Sequence, residues 1–176
     1  MNYSEFKENL KKITKATFLK CAKNLKPEEI CGFGIYTDES VMSMSICCNT
    51  ITHLKDLQQE EKGNDEYFKW SINEWQYEMI NEIHVAKINE ELLNEHRKIS
   101  DKQRLFEKHK DKILNIAVEV LQELKQESLF KNLNREFVLM FGISDFDDKE
   151  IEKAIAQRLN DATQFMQFKN WLDSEE

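Results

Sequence analysis

A single proline and four glycines in 176 residues leave little of this chain built for turns, and the composition favours helices. Long apolar runs are missing as well. The longest nearly unbroken one, Phe137 to Ile143, is far short of the roughly 20 residues that a membrane span needs. The opening residues Met1-Asn2-Tyr3-Ser4-Glu5 carry no apolar signal segment. Cys21, Cys31, Cys47 and Cys48 contain no C-x-x-C pair, and adjacent Cys47 and Cys48 can hardly close a relaxed disulfide with each other. These absences lead us to expect a soluble, cytoplasmic protein without a membrane partner, its cysteines reduced and buried as small hydrophobes.

The residue patterns of common catalytic chemistry are absent too. His53, His84, His96 and His109 form no i, i+4 pair and no H-E-x-x-H, so no metal site is expected. The run Asp145-Phe146-Asp147-Asp148-Lys149-Glu150 lacks the glycine and the twelfth-position glutamate of a calcium loop. There is no G-x-S-x-G and no Gly-rich phosphate loop, and Ser43 and Ser45 have no base that the sequence assigns. Cys47 or Cys48 with a distant histidine is the least implausible nucleophile. We therefore expect no catalytic residues, no cofactor and no enzymatic activity.

What remains is a chain able to fold. It is 40% hydrophobic with eleven phenylalanines, which argues against disorder despite 33% charged residues, and its length suits one domain. The net charge of −8 is unevenly spread. Residues 1–26 hold seven lysines and two glutamates, whereas 27–95 hold fifteen acids and four lysines. An acidic middle disfavours nucleic acid, whose phosphates need clustered Lys and Arg, and favours a basic partner. The carboxylates expected to meet such a partner are Asp38, Glu39, Glu60, Glu61, Asp65 and Glu66.

Periodicity places the elements. Tyr3, Phe6, Leu10, Ile13, Thr17, Cys21 and Leu25 recur at helical steps until Pro27 stops them. Cys31, Phe33 and Ile35 then alternate with Gly32, Gly34 and Tyr36, and Met42, Met44 and Ile46 with Ser43, Ser45 and Cys47. That period of two predicts a β-hairpin with one face buried. A short helix over 50–62 turns Ile51, Leu54 and Leu57 inward and stops at Gly63. Ser71 and Glu74, flanked by Trp70 and Trp75, read as a capping box with a hydrophobic staple at a helix start. Asp147 and Glu150, with Phe146 and Ile151, repeat the pattern before a helix over about 148–159, and Ser100 with Gln103 offers a weaker version. Glu136 to Ser144 is apolar on both faces and reads as a third strand, central or covered on both sides. Glu90 to Lys112 suggests two long exposed helices meeting near Ser100, and 161–173 a closing helix. The expected fold is α+β: a small antiparallel sheet of at least three strands surrounded by helices, in one domain.

Three segments carry a resemblance. They are Gly34-Ile35-Tyr36-Thr37-Asp38 through Asn49-Thr50, then Tyr67-Phe68-Lys69-Trp70-Ser71-Ile72-Asn73-Glu74-Trp75-Gln76-Tyr77-Glu78, and Phe137 to Phe141 through Ser144-Asp145, ending at Arg158-Leu159-Asn160. Together they resemble an uncharacterised bacterial α+β domain family often found near polymorphic-toxin and contact-dependent inhibition loci. Asp161 stands where the family pattern has proline, which sets the last helix apart from it. The resemblance implies an immunity protein that neutralises a basic cognate toxin domain by binding it. It supplies no catalytic residues. The alternative is another cytoplasmic adaptor or regulator without catalytic activity.

Overall fold

The computed structural model describes residues 1–78, 83–131 and 133–174, together with the backbone alone of Glu82. The first helix, α1 (Tyr3–Asn24), ends before a single 3-10 turn at Pro27–Glu29, as the proline requires. Two strands follow, β1 (Ile30–Thr37) and β2 (Met44–Thr50), and then α2 (Ile51–Glu60) and α3 (Asp65–Trp70). Two long helices, α4 (Glu82–Ile99) and α5 (Gln103–Gln126), lead to β3 (Val138–Ile143), and α6 (Lys149–Leu159) and α7 (Ala162–Ser174) close the chain.

The sheet order is β2-β1-β3. β1 and β2 form the expected antiparallel hairpin, but β1 and β3 pair in parallel, from Gly32 opposite Val138 to Thr37 opposite Ile143. The sheet is therefore mixed and not antiparallel throughout. The physical reason is the connection: a parallel neighbour needs a long return path, and α2 to α5 supply it. The fold class is α+β, with the helices wrapped around this sheet. No described helix is long and apolar enough to cross a membrane.

Both faces of the hairpin are buried, where the alternation predicted one. Phe33, Ile35, Ile46, Cys48, Leu139 and Phe141 face the larger core, shared with Phe6, Leu10 and Phe18 of α1, Val85, Ile88 and Leu92 of α4, and Ile113 to Leu124 of α5. The other face carries Cys47, Val138 and Met140 beneath Trp70, Ile72, Trp75, Phe168 and Leu172. Cys31 belongs to neither. A register shift between Ile30 and Gly32 turns it toward Leu54 and Phe68 in a satellite cluster.

Three strands leave two edges exposed to pairing, and side chains close both. At the outer edge of β3, the Asn160 amide accepts from Leu139 N–H at 3.0 Å and donates to Leu139 C=O at 2.8 Å. At the outer edge of β2, Asn89 accepts from Met44 N–H at 2.8 Å and donates to its C=O at 3.2 Å. A primary amide presents the same acceptor and donor as a peptide group, so each asparagine stands in for one residue of a missing strand. Tyr77 completes β2 by exchanging both backbone hydrogen bonds with Cys48.

The caps are the least well anticipated feature. α6 is capped by Asp148, whose carboxylate accepts from Glu150 and Ile151 N–H, one residue later than the expected Asp147, and Ile151 is exposed rather than stapled. α5 follows Lys102 without a side-chain cap, so Ser100 and Gln103 form no box. The reciprocal cap lies at Asp161, which accepts from Gln164 N–H at 2.9 Å while the Gln164 side chain accepts from Asp161 N–H at 3.3 Å.

Three of the seven lysines in the first segment are neutralised internally. α1 and α5 run parallel, so Lys7, Lys11 and Lys15 align with Glu119, Glu123 and Glu127 in five ion pairs of 2.7–2.9 Å. Replacing Asn160 by Leu keeps the bulk but leaves two buried backbone groups of β3 unpaired. At about 1–3 kcal/mol for each, urea melts should show a loss of about 2–5 kcal/mol. A loss below about 1 kcal/mol would mean that the edge is closed by other means.

Candidate functional site

The six carboxylates expected to meet a partner fall into two groups. Asp38 and Glu39 lie in the turn between β1 and β2, while Glu60, Glu61, Asp65 and Glu66 surround the turn between α2 and α3. The first turn adjoins the start of β2, whereas the ten-residue helix α2 separates the second from the end of that strand. Asp38 is committed to its own turn, where its carboxylate accepts from the N–H groups of Ser40, Met42 and Ser43 and from the Ser43 hydroxyl. Glu39 pairs with Lys110 of α5 at 3.4 Å.

The second group is different. Glu60, Glu61, Asp65 and Glu66 are all exposed, and none of them forms an ion pair with a described residue. Their internal contacts are neutral: the Trp70 indole N–H donates to Glu66 at 2.7 Å, and Asn64 donates to Glu61 at 3.5 Å. Gly63, at φ 100°, makes the turn between the two helices possible. Among the described residues these acids therefore have no cationic partner, whereas Lys7, Lys11 and Lys15 each have an anionic one.

The segment Trp70 to Trp75 is not a helix start. α3 ends at Trp70, one 3-10 turn follows at Ile72–Glu74, and Ser71 makes no side-chain cap. The Glu74 carboxylate instead accepts from the Tyr67 hydroxyl and the Asn73 amide. Two tertiary demands override the local signal. Tyr77 must be extended to pair with Cys48, and Ile72 and Trp75 are pressed onto the sheet. They fit because the sheet is bare there: a Cβ at Gly32 would lie 2.9 Å from the Trp75 ring, and one at Gly34 would lie 2.7 Å from Ile72 Cδ1. A Cβ at Gly142 would run into Ile72 Cγ2.

Beside this seat lies a cavity of about 420 Å³ at the carboxyl ends of β1 and β3. Ends of parallel strands are where open sheets commonly hold ligands. The sheet contributes Tyr36 and Met140 to Ile143, the 70–73 segment forms one wall, and α6 and α7 form the others through Glu152, Ala156, Phe168 and Trp171. Ser144 and Asp145 line it at the strand end, with Asp145 in the left-handed region at φ 53°. Burial raises the Glu152 carboxyl above its ordinary value, reinforced by Asp147. Burial also raises the Tyr36 phenol. Nothing in the residue patterns signalled this site, because its polar groups come from β1, the β3–α6 loop, α6 and α7.

The four thiols are free and buried. Burial pushes Cys31 up to about 12 and Cys47 higher still, and Cys48 is raised by the adjacent Cys21 sulfhydryl and by burial. A thiol held protonated is a poor nucleophile, which weakens the Cys47 or Cys48 dyad considered above. Among the described residues, no three His, Cys, Asp or Glu side chains converge as ligands for a metal.

The family model described as "Domain of unknown function (DUF4303)" matches residues 10–161, and the chain belongs to that family. Neither a curated protein nor a solved structure matches it.

Two measurements check this description. Thiol titration of the native protein should find no fast-reacting cysteine, and all four should react in denaturant; a fast thiol at Cys47 or Cys48 would contradict their burial. Gly142→Ala should cost about 1–3 kcal/mol by overpacking against Ile72. Combining it with Ile72→Ala should then cost less than the two single losses added together. Strict additivity would mean that the glycine has another role.

Proposed function

We propose that this protein is an immunity protein that binds and neutralises a cognate toxin domain by protein–protein contact, without chemistry of its own. The observation that carries the reading is the exposed acidic corner of Glu60, Glu61, Asp65 and Glu66, none of which forms an ion pair with a described residue. A negative corner on a protein of net charge −8 accelerates encounter with a basic surface. Toxin domains that attack nucleic acid are often basic because their substrate is a polyanion. The toxin part of the reading is supported by the family resemblance of the Trp70–Trp75 and Phe137–Asp145 segments. Asp38 takes no part in it, since its carboxylate already organises the β1–β2 turn.

The test is kinetic. The protein is co-expressed with a basic C-terminal toxin domain drawn from its neighbouring reading frames, and association is then followed between purified partners. Exposed rim charges act mainly on association, so k_on should fall steeply with salt while k_off changes little. Glu60→Lys with Glu61→Lys should slow association roughly tenfold. A salt-independent k_on would make the acidic corner a solubility feature. Failure to protect cells from the toxin would favour an adaptor or regulator instead.

A further inference from the structure

The cavity at the carboxyl ends of β1 and β3 is unlike the acidic corner: it is a half-open concavity with aromatic walls, and its carboxylate Glu152 is half-buried. Its lining contains Asp145 and Glu152 but no Lys, Arg or His. The Glu152 carboxylate is half-buried and has neither a hydrogen bond nor an ion pair with a described residue. Asp147 and Asp148 add to the negative potential around it. Lys149 offsets part of that potential, but a half-buried carboxylate with no ion pair to a described residue still favours a cation delivered into the cavity.

The aromatic walls narrow the choice of cation. Tyr36 stands on the sheet side, and Phe168 and Trp171, with ring centres 5.6 Å apart, form the α7 side. A planar guanidinium can lie against such rings while its paired N–H groups meet a carboxylate side-on, whereas a compact ammonium uses only one of these features well. The Trp171 indole N–H is buried and has no acceptor among the described residues. The volume, about 420 Å³, falls within the range of small-molecule sites.

We propose that this cavity is a binding site for a guanidinium group on an apolar stem, held by Glu152 and the rings of Tyr36 and Trp171. Two sources share that chemistry: a free alkylguanidine, and an arginine side chain of a protein partner. Trp171 also lines a second concavity, shared with Asp65 and Glu66, so the cavity adjoins the acidic corner. The proposal does not rest on the toxin-binding reading, because it is tested without any toxin.

The experiment follows the indole N–H resonances of the intact protein by NMR during titration with agmatine, Nα-acetyl-arginine amide and Nα-acetyl-citrulline amide. Citrulline is the uncharged near-isostere of arginine. A saturable shift of the Trp171 resonance is expected with at least one of the two guanidines, with at least tenfold weaker binding of the citrulline compound. Glu152→Gln should weaken guanidine binding at least tenfold and leave the urea midpoint unchanged or raised. Binding of the arginine amide alone assigns the site to a partner's side chain, and binding of agmatine assigns it to a free guanidine. The absence of a shift with both guanidines, equal binding of the citrulline compound, or full affinity in Glu152→Gln would overturn the proposal. None of these results bears on the salt dependence of toxin association, so the two readings stand or fall separately.

Discussion

The amide of Asn160 holds the N–H and C=O of Leu139 from the side, and the organisation of the whole domain turns on that contact and its counterpart at Asn89. A sheet of three strands has one interior strand and two edges, so most of its backbone would otherwise need water or another chain. Asn160 also ties α6 to the sheet, since its amide donates to Ala156 C=O at the helix end. The next residue, Asp161, starts α7 by a reciprocal cap with Gln164. One short stretch therefore closes an edge, ends one helix and begins the next. Asn89 does comparable work for α4 at the opposite edge.

With its edges closed, the sheet can be covered on both faces, and the two covers differ in kind. Helices α1, α4 and α5 pack on one face with ordinary aliphatic and aromatic side chains. The other face has glycine at positions 32, 34 and 142, and the missing side chains are replaced by Ile72 and Trp75 from a segment remote in sequence. This arrangement explains why so recognisable a motif yields no regular helix. Its large residues act as the second half of the sheet's own surface, and the cavity lies where this cover gives way to α6 and α7.

Charge is partitioned by the same architecture. The N-terminal lysines are placed against glutamates of α5, where partly exposed, interlocked pairs hold Glu127 down to about 2. The acids of the α2–α3 turn form no ion pair with a described residue. Net charge along the chain thus maps only loosely onto the charge offered to solvent. Three lysines of the basic first segment are paired by α5, and the acids of the corner have no ion pair with a described residue.

Much of the fold was legible in the residues themselves. Helical spacing from Tyr3 to Leu25 with a proline after it, period-two alternation around a short turn, and a doubly apolar run at 137–143 each depend on nearby residues, and local physics suffices for them. The cysteines, apolar in context and unpaired by spacing, are likewise found free and buried. The direction of β3, the cover over the glycine face and the fate of the Ser71–Glu74 signal were not legible. Each is decided by partners far apart in sequence: β3 by a long helical return, Ile72 by Gly34 and Gly142, Tyr77 by Cys48. The cavity belongs to the same class, because Tyr36, Glu152 and Trp171 are separated by many residues and share no pattern. By itself the sequence determined most of the helix and strand segments, the 70–75 stretch excepted, and where charge accumulates along the chain. Tertiary structure decided which charges stay uncompensated and which side chains enclose a site, because both depend on distances in space that no spacing along the chain encodes.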